Sequence, residues 1–352
     1  MRKLACLIAA ALAAPLPWLL ESGSANAGRA GVATATAAGT TAPGATWQDS
    51  DLVTYAGGSI RVEFAPAEFT LSRAELMEWV RASARATATY FGRFPVPYAR
   101  LVIEPTRGAE VTMGSAVGRP EPRIIVKMGR RTTAAELAKE SLLVHEMVHL
   151  AVPDHDIRHL WLHEGIATYV EHIARAQAGL MPAAEVWREL MRELPEGLPE
   201  PRETGGLDGT TSDSRRYWGG ALFCLLADID IRKATGNRLG LQDALRALQR
   251  NGGNLSRTWT LDRTLEVADR GTGTITLGSL YRIMGNRPHA PDLSRIWRDL
   301  GVREERGRIV LDDAAPLAAI RRAITEQPSA PLLITAPRRL RMVDARARMT
   351  GQ

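Results

Sequence analysis

The segment Leu142 to Leu150 carries two histidines and a glutamate in the order His-Glu-x-x-His, at His145, Glu146 and His149. Residues four apart in a helix lie one turn above each other, so both imidazoles project from one face and can hold a single Zn²⁺. Zinc lowers the pKa of a bound water from about 15.7 to about 7, which lets a neighbouring carboxylate act as general base. The spacing therefore predicts a zinc site at His145 and His149, with Glu146 as the base.

Apolar residues surround this motif on most sides of its predicted helix, which favours burial of the helix. They are Leu137, Leu142, Val144, Met147 and Val148. A buried His-Glu-His face without a function is costly, because buried polar groups need partners. The motif alone also fits two ordinary helical histidines beside an exposed glutamate, so the neighbouring segments decide between these interpretations.

A catalytic zinc site needs a third protein ligand and leaves the fourth position for water. The next predicted helix has the pattern Trp-Leu-x-Glu-Gly-x-Ala-x-Tyr-x-Glu, from Trp161 to Glu171. Following His-Glu-x-x-His, this pattern resembles the gluzincin (peptidase MA-like) superfamily of zinc metallopeptidases, which includes aminopeptidase N-type and glycyl aminopeptidase-type enzymes. The resemblance implies that Glu164 is the third ligand. The interval between His149 and Glu164 is shorter than in the aminopeptidases, which leaves the substrate class open.

A third segment extends the resemblance. Residues Tyr217 to Leu222 have the pattern Tyr-x-x-Gly-Ala-Leu that these enzymes carry before a helix. Their tyrosine donates a hydrogen bond to the developing oxyanion, so the resemblance implies this role for Tyr217. The alternative is a tyrosine that packs in the core. Together the resembling blocks span roughly residues 133 to 250, and they imply a peptide or protein substrate.

Two acidic positions limit what the resemblance implies. Glu171 lies two helical turns beyond Glu164 on a similar face, and spacing alone leaves open whether it orients a ligand histidine or is a solvated surface carboxylate. The aminopeptidase branch has a Gly-Ala-Met-Glu-Asn-like strand whose glutamate binds the substrate's amine, but Val111 to Val117 has no acid there. The chain is therefore not assigned to the aminopeptidases. We instead expect the strand Arg123 to Lys127 to pair with an extended peptide, which suits an endopeptidase.

The pattern of apolar and turn residues predicts two lobes. Short β-like runs and a helix from Ser72 to Tyr90 predict a mixed helix/sheet lobe over residues 47–131. A helix that Thr132 or Thr133 can cap, with Glu136 completing a capping-box pattern with Thr133, runs to about Leu150 and belongs to a mainly helical lobe over residues 132–330. With the resemblance, this organisation predicts an α+β fold of the thermolysin-like zincin type. Further predicted elements are strands over 59–64, 101–104 and 123–127, helices over 160–178, 217–235, from 241 and over 316–324, and a hairpin over 302–311.

The first 27 residues have the three parts of a secretory signal peptide. A basic start is followed by an apolar run to Leu20 and by the cleavage site Ala25-Asn26-Ala27. Residues 28–46 are poor in large apolar side chains and are expected to be a disordered linker, and residues 331–352 a C-terminal tail. The mature protein is therefore expected in the periplasm or the medium, without a stable membrane span.

The net charge of +6 and the pI of about 9.7 come mostly from arginines that are scattered among acidic residues. A scattered charge indicates a composition bias, so no nucleic-acid partner is expected. Outside the signal segment the chain has the cysteine Cys224, which lies in an apolar run and is predicted to be a buried, inert thiol without a disulfide. The oligomeric state is not predicted.

Three alternatives stand beside the gluzincin interpretation. A metzincin-type site would use His155 as third ligand and Met284 as its Met-turn, but Val152 replaces the required turn glycine and Pro153 follows it. A non-catalytic exported binding protein on a zincin fold is the second, although such a protein has no need of Glu146. A nucleic-acid binder is the third, and loss of binding in modest salt without any sequence preference would reduce this alternative to a bias in charge.

Overall fold

The computed structural model describes residues 50–327, apart from Ala56 and Pro201, together with the backbone of Ala5–Cys6. Except for Ala5–Cys6, the predicted signal peptide (1–27) lies outside the described residues, as do the predicted linker (28–46) and C-terminal tail (331–352). Among the described residues, no helix combines the length and the apolar character that a bilayer span requires.

A six-stranded mixed sheet occupies the first part of the described chain. In chain order its strands are β1 (Ala5–Cys6), β2 (Ser50–Tyr55), β3 (Gly58–Phe64), β4 (Tyr98–Thr106), β5 (Val111–Val117) and β6 (Arg123–Gly129). Across the sheet the order is β1, β5, β6, β4, β3, β2. The strands β3, β4 and β6 run parallel to one another, whereas β2 and β5 are antiparallel to their inner neighbours.

The strand that was expected to bind a peptide is an inner strand of this sheet. Strand β6 is hydrogen-bonded to β4 on one side and to β5 on the other. Because both of its backbone edges are used, β6 cannot accept a further strand, and the prediction for Arg123 to Lys127 is wrong. Within residues 50–327 the two outermost strands are β5 and β2, and β1 pairs with β5 at Met113 and Gly114.

Most of the remaining chain is helical. Helix α1 (Arg73–Phe91) crosses between strands β3 and β4, and a short hairpin of β7 (Val302–Glu305) and β8 (Arg308–Leu311) confirms the one predicted over 302–311. The other helices are α2 (Ala134–Leu137), α3 (Leu142–His149), α4 (Leu160–Gln177), α5 (Ala183–Glu193), α6 (Gly220–Ala234), α7 (Leu241–Arg250), α8 (Leu261–Thr272), α9 (Thr276–Met284), α10 (Leu293–Leu300) and α11 (Ala318–Thr325). Short 3₁₀ turns cover Ile157–His159, Leu194–Gly197 and Leu207–Gly209, and a π-helical turn covers Arg215–Gly219.

Both predicted helix starts have the expected capping chemistry. Ser72 caps α1: its hydroxyl accepts from the Glu75 N–H, and the Glu75 carboxylate accepts from the Ser72 N–H at 2.7 Å. Thr133 and Glu136 form the same reciprocal pair at the start of α2, also at 2.7 Å. These boxes satisfy backbone N–H groups that have no partner within the helix.

The helix predicted from Thr133 to Leu150 is broken in two. Helix α2 ends at Leu137, and α3 begins at Leu142. Between them the carboxylate of Glu140 accepts from the backbone N–H groups of Ser141 and Leu142, at 3.0 and 3.1 Å. A side chain that captures these donors competes with the backbone hydrogen bonds of a continuous helix.

Helix α3 lies between two hydrophobic clusters. Its residues Leu143 and Met147 belong to the cluster formed with the sheet and α1, and Val144 and Val148 belong to the cluster formed by the later helices. With apolar side chains used on two sides, the polar residues of the His-Glu-x-x-His motif share the remaining face. Cys224 lies 1% exposed in α6, and burial raises the pKa of its thiol, as expected for an inert core cysteine.

Helices α4 and α6 approach each other closely at a pair of glycines. A Cβ on Gly165 would lie 2.3 Å from the Gly220 Cα, and one on Gly220 would lie 2.2 Å from the Trp161 carbonyl oxygen. Only glycine fits at either position without moving a helix. This contact holds the π-helical turn that precedes α6 against α4, beside the motif helix.

Candidate metal centre

His145, His149 and Glu164 form one buried cluster. The two histidines are fully buried and Glu164 is 1% exposed. Their ligand atoms lie within 4.8 Å of one another, and in the described part of the chain no other group of His, Cys, Asp and Glu side chains has such spacing. Oε2 of Glu164 lies 3.2 Å from Nε2 of His145 and 3.6 Å from Nε2 of His149. The structure thus brings together the side chains that two separate motifs singled out.

The chemistry of this cluster fits a zinc ion. Both ring nitrogens of His149 and Oε1 of Glu164 are buried without a hydrogen-bond partner among the described residues. Burial, together with His145 and His163, lowers the pKa of His149 well below its ordinary value, so its imidazole is neutral and keeps a lone pair. Neutral imidazoles and a carboxylate are zinc ligands, and a bound cation would satisfy buried polar atoms that are otherwise costly.

Glu171 lies behind the first ligand histidine. Its Oε2 is 3.0 Å from Nδ1 of His145, and the residue is 4% exposed, so it is not a solvated surface carboxylate. Burial acts to raise the pKa of Glu171, but His172, His145 and Arg175 outweigh it and the pKa is lowered. An ionised carboxylate only accepts, so Nδ1 of His145 carries the proton and Nε2 keeps its lone pair toward Glu164.

Glu146 is fully buried between α3 and the outer strand β5. A Cβ on Gly114 would lie 2.4 Å from Oε1 of Glu146, so the lack of a side chain at Gly114 makes room for the carboxylate. In the sequence, the strand Val111 to Val117 stood out only for its missing acid, and Gly114 was not singled out. A glycine inside a β-like run is the signal that indicates such a close approach.

Tyr217 lies on the π-helical turn Arg215–Gly219, directly before α6. Its ring is half-buried, and its centroid lies 6.1 Å from that of the His145 ring, with the two planes 26° apart. Such π-helical turns often occur at functional sites. The turn therefore brings the tyrosine that the resemblance singled out to the edge of the His-His-Glu cluster.

His155 does not join the cluster. Its Nδ1 lies 3.0 Å from Nε2 of His163, and its Nε2 lies 2.7 Å from Oγ1 of Thr264. Burial, with His163 and His159, lowers the pKa of His155 to about 3, so the ring is neutral. Met284 ends α9 and packs in the helical core. Glu164 is the third member of the cluster, and both ring nitrogens of His155 have other partners. The metzincin alternative, with His155 as third ligand, is therefore wrong.

The start of α4 is anchored by a residue that the sequence did not reveal. Asp208 accepts hydrogen bonds from Nε1 of Trp161 at 2.7 Å, from Tyr281 at 2.6 Å and from Nδ1 of His159 at 2.8 Å. The anchor holds the first turn of the helix that carries Glu164. No local pattern marks Asp208, because its partners lie far from it in the sequence.

A His-His-Glu cluster on two packed helices is the arrangement that the gluzincin resemblance implies. Comparison with solved structures finds an aminopeptidase N family protein from Idiomarina loihiensis, with a TM-score of 0.55 and 13% identity, covering 72% of this chain and 49% of that one. It also finds an M1 zinc metallopeptidase from Deinococcus radiodurans, with a TM-score of 0.46 and 19% identity, covering 70% and 52%.

The first of these similarities shows a shared fold, and at that level it confirms the resemblance that the motifs indicated. The structure is accordingly a mixture of helix and sheet of the kind found in aminopeptidase N-like proteins. The chain spans about half the length of each of these two structures. No protein-family profile and no curated protein matches the sequence.

Proposed function

We propose that this protein is an exported zinc metallopeptidase that hydrolyses peptide bonds. The observation that carries the proposal is the buried cluster of His145, His149 and Glu164, with Glu146 held beside it against β5. These three side chains would hold one zinc ion, which supplies a water of lowered pKa and polarises a carbonyl oxygen. The fold shared with an aminopeptidase N family protein supports a peptide substrate.

Each residue of the site has a separate task. Glu146 takes a proton from the attacking water and returns it to the leaving amine, and its burial keeps competing solvent away. Glu171 holds the proton on Nδ1 of His145, so the other nitrogen faces the cluster. Tyr217 donates its hydroxyl hydrogen to the developing oxyanion. Cleavage of the proposed signal peptide would remove β1, and the outer edge of β5 would then be free to pair with the backbone of an extended peptide.

The proposal has two further parts. One is export, which rests on the signal-peptide pattern of residues 1–27 and leads to a mature chain that begins at Gly28, measurable by N-terminal sequencing. The other is a thermolysin-like division into a helix/sheet lobe (47–131) and a helical lobe (132–330). The two hydrophobic clusters on either side of α3 support that division.

Metal removal tests the proposal directly. The purified protein is expected to contain about one zinc ion per chain and to cleave a peptide pool. A chelator should abolish cleavage and lower the unfolding temperature, because a ligand that binds only the folded state stabilises it, and added zinc should restore both. Full cleavage by metal-free protein would contradict the proposal. Bound zinc without any cleavage would instead favour the non-catalytic binding protein.

Replacing Tyr217 with phenylalanine is expected to lower kcat by about 10²–10³-fold, with little change in KM or zinc content. Phenylalanine keeps the ring beside His145 and removes only the hydroxyl group. Tyr98→Phe, the same change in strand β4, is the matched control and should leave kcat near the wild-type value. Both variants are measured by steady-state kinetics on a cleaved peptide. A wild-type kcat in Tyr217→Phe would contradict the proposal that Tyr217 donates a hydrogen bond to the oxyanion.

A further inference from the structure

The turn that carries Tyr217 is π-helical and lies directly before α6. A π-helical turn closes its hydrogen bond five residues along the chain instead of four, and such turns are rare, so the surrounding chain has to favour this one. If the turn relaxed to the α-helical register, its side chains would rotate by up to about 100° about the helix axis, the angle of one residue. The contacts that hold this turn therefore decide whether Tyr217 stays at the edge of the His-His-Glu cluster.

The π-helical turn lies between two close backbone contacts. On one side Gly220, the residue after the turn, packs against Gly165 of α4. On the other side Gly197 packs against the turn itself: a Cβ on Gly197 would lie 2.3 Å from the carbonyl carbon of Trp218 and 2.4 Å from the nitrogen of Gly219. Any side chain at position 197 would therefore have to displace the turn.

Arg215, the first residue of the turn, is a buried arginine. It is 4% exposed, and its guanidinium forms an ion pair with the carboxylate of Glu203, which is itself partly buried. A buried charge is costly unless it is paired, so the position of Arg215 depends on the carboxylate beside it. The ion pair ties the start of the turn to residues 203–209, which we call the bracing segment.

The bracing segment also contacts the end of the turn and the helix of the third ligand. Leu207 is 2% exposed, and a Cβ on Gly219 would lie 2.8 Å from its Cδ2. The next residue, Asp208, accepts a hydrogen bond from Nε1 of Trp161 in the first turn of α4, at 2.7 Å. One segment therefore contacts both the turn of the tyrosine and the helix of the third ligand, and it fixes the position of one relative to the other.

We propose that Glu203 is a positioning residue for the reaction. Through Arg215 it keeps the turn in its π-helical form, and the turn holds the hydroxyl of Tyr217 where the oxyanion develops. Rates depend steeply on such positioning, because a displacement of about 1 Å can cost about 100-fold. This inference rests on the proposed function and adds to it a residue outside the His-His-Glu cluster that acts on catalysis through the tyrosine.

Glu203→Gln tests this role, because glutamine keeps the size of the side chain and removes its charge. The variant is expected to lower kcat by about 10- to 100-fold, with KM and zinc content near the wild-type values. Gly197→Ala acts on the same turn from the other side and is expected to lower kcat in the same way. Steady-state kinetics on a cleaved peptide and metal analysis give these values, at a temperature below the unfolding transition of every variant.

Glu185→Gln is the matched control. It makes the same chemical change in an ion pair with Arg188 on α5, where both side chains are 41% exposed. An exposed pair contributes little to stability and has no contact with the turn to lose, so kcat should stay at the wild-type value.

Combination with Tyr217→Phe separates a positioning role from a general effect on the fold. Without its hydroxyl the ring has no hydrogen bond to misplace, so Glu203→Gln and Gly197→Ala should each change kcat by less than about twofold in the Tyr217→Phe background. A variant that merely disturbs the fold would lower kcat by the same factor in both backgrounds.

Two results would overturn the inference while Tyr217→Phe is impaired. One is a wild-type kcat in both Glu203→Gln and Gly197→Ala. The other is a loss of kcat that is as large in the Tyr217→Phe background as in the wild type. A wild-type kcat in Tyr217→Phe, or the absence of cleavage by the wild-type enzyme, contradicts the proposed function instead, so the failures are distinguishable.

Discussion

Replacing Glu146 with glutamine is expected to lower peptide hydrolysis by about 10²–10⁴-fold while zinc content stays at the wild-type level. Glutamine has nearly the shape of glutamate, so the close contact with Gly114 and the packing of α3 are kept. Its amide cannot take a proton from water, so only the base is lost. The measurements are kcat/KM on a cleaved peptide and metal analysis of the purified variant.

Glu266→Gln makes the same chemical change at an exposed position of α8 and should behave like the wild type. A wild-type kcat/KM in Glu146→Gln would contradict the assignment of Glu146 as general base. Loss of zinc together with activity would show that Glu146 acts through the structure of the metal centre and not through proton transfer.

Replacing Glu164 with alanine is expected to weaken zinc binding by more than about 100-fold, because even partners behind a ligand contribute about 10- to 100-fold to metal affinity. His145 and His149 would remain on one helix, but two imidazoles leave half of a tetrahedral site to water. Zinc affinity is measured by competition with a chromophoric chelator. Circular dichroism of the metal-free variant checks that the helices still form.

Glu171→Gln supplies the graded comparison for this experiment. In the wild type, the Glu171 carboxylate contacts Nδ1 of His145 at 3.0 Å and is not itself in the cluster. The zinc affinity of Glu171→Gln is therefore expected to fall by only about 10- to 100-fold. If Glu164→Ala and Glu171→Gln lose zinc affinity equally, Glu164 cannot be assigned as a ligand and Glu171 as a residue that only positions His145. Full zinc content in Glu164→Ala would show that the third ligand has been misassigned.

The parts of the site that lie on one helix could be predicted from the sequence. The i, i+4 spacing of His145 and His149 places both rings on one face whatever surrounds the helix. The caps at Ser72 and Thr133 were predictable for the same reason, because each involves residues three apart. The break before Leu142 was not predicted, because it depends on which backbone donors the Glu140 carboxylate captures.

Local sequence patterns do not predict the order of the strands in the sheet. A buried strand such as β6 has the same β-like run whether it is an inner or an outer strand, so the sequence could not exclude β6 as an edge that pairs with a peptide. Asp208 was not singled out, because its partners come from distant segments of the chain.

The sequence by itself determined which side chains are available for the chemistry: two imidazoles one helical turn apart, a carboxylate beside them and a second carboxylate on the next helix. Only the tertiary structure decided that Glu164 and not His155 completes the cluster, and that β6 lies inside the sheet, paired on both sides. The physical reason is the range of the interactions. Helical spacing and caps act within a few residues, whereas the close contacts of glycine backbones and the pairing of strands join residues that only the folded chain brings together.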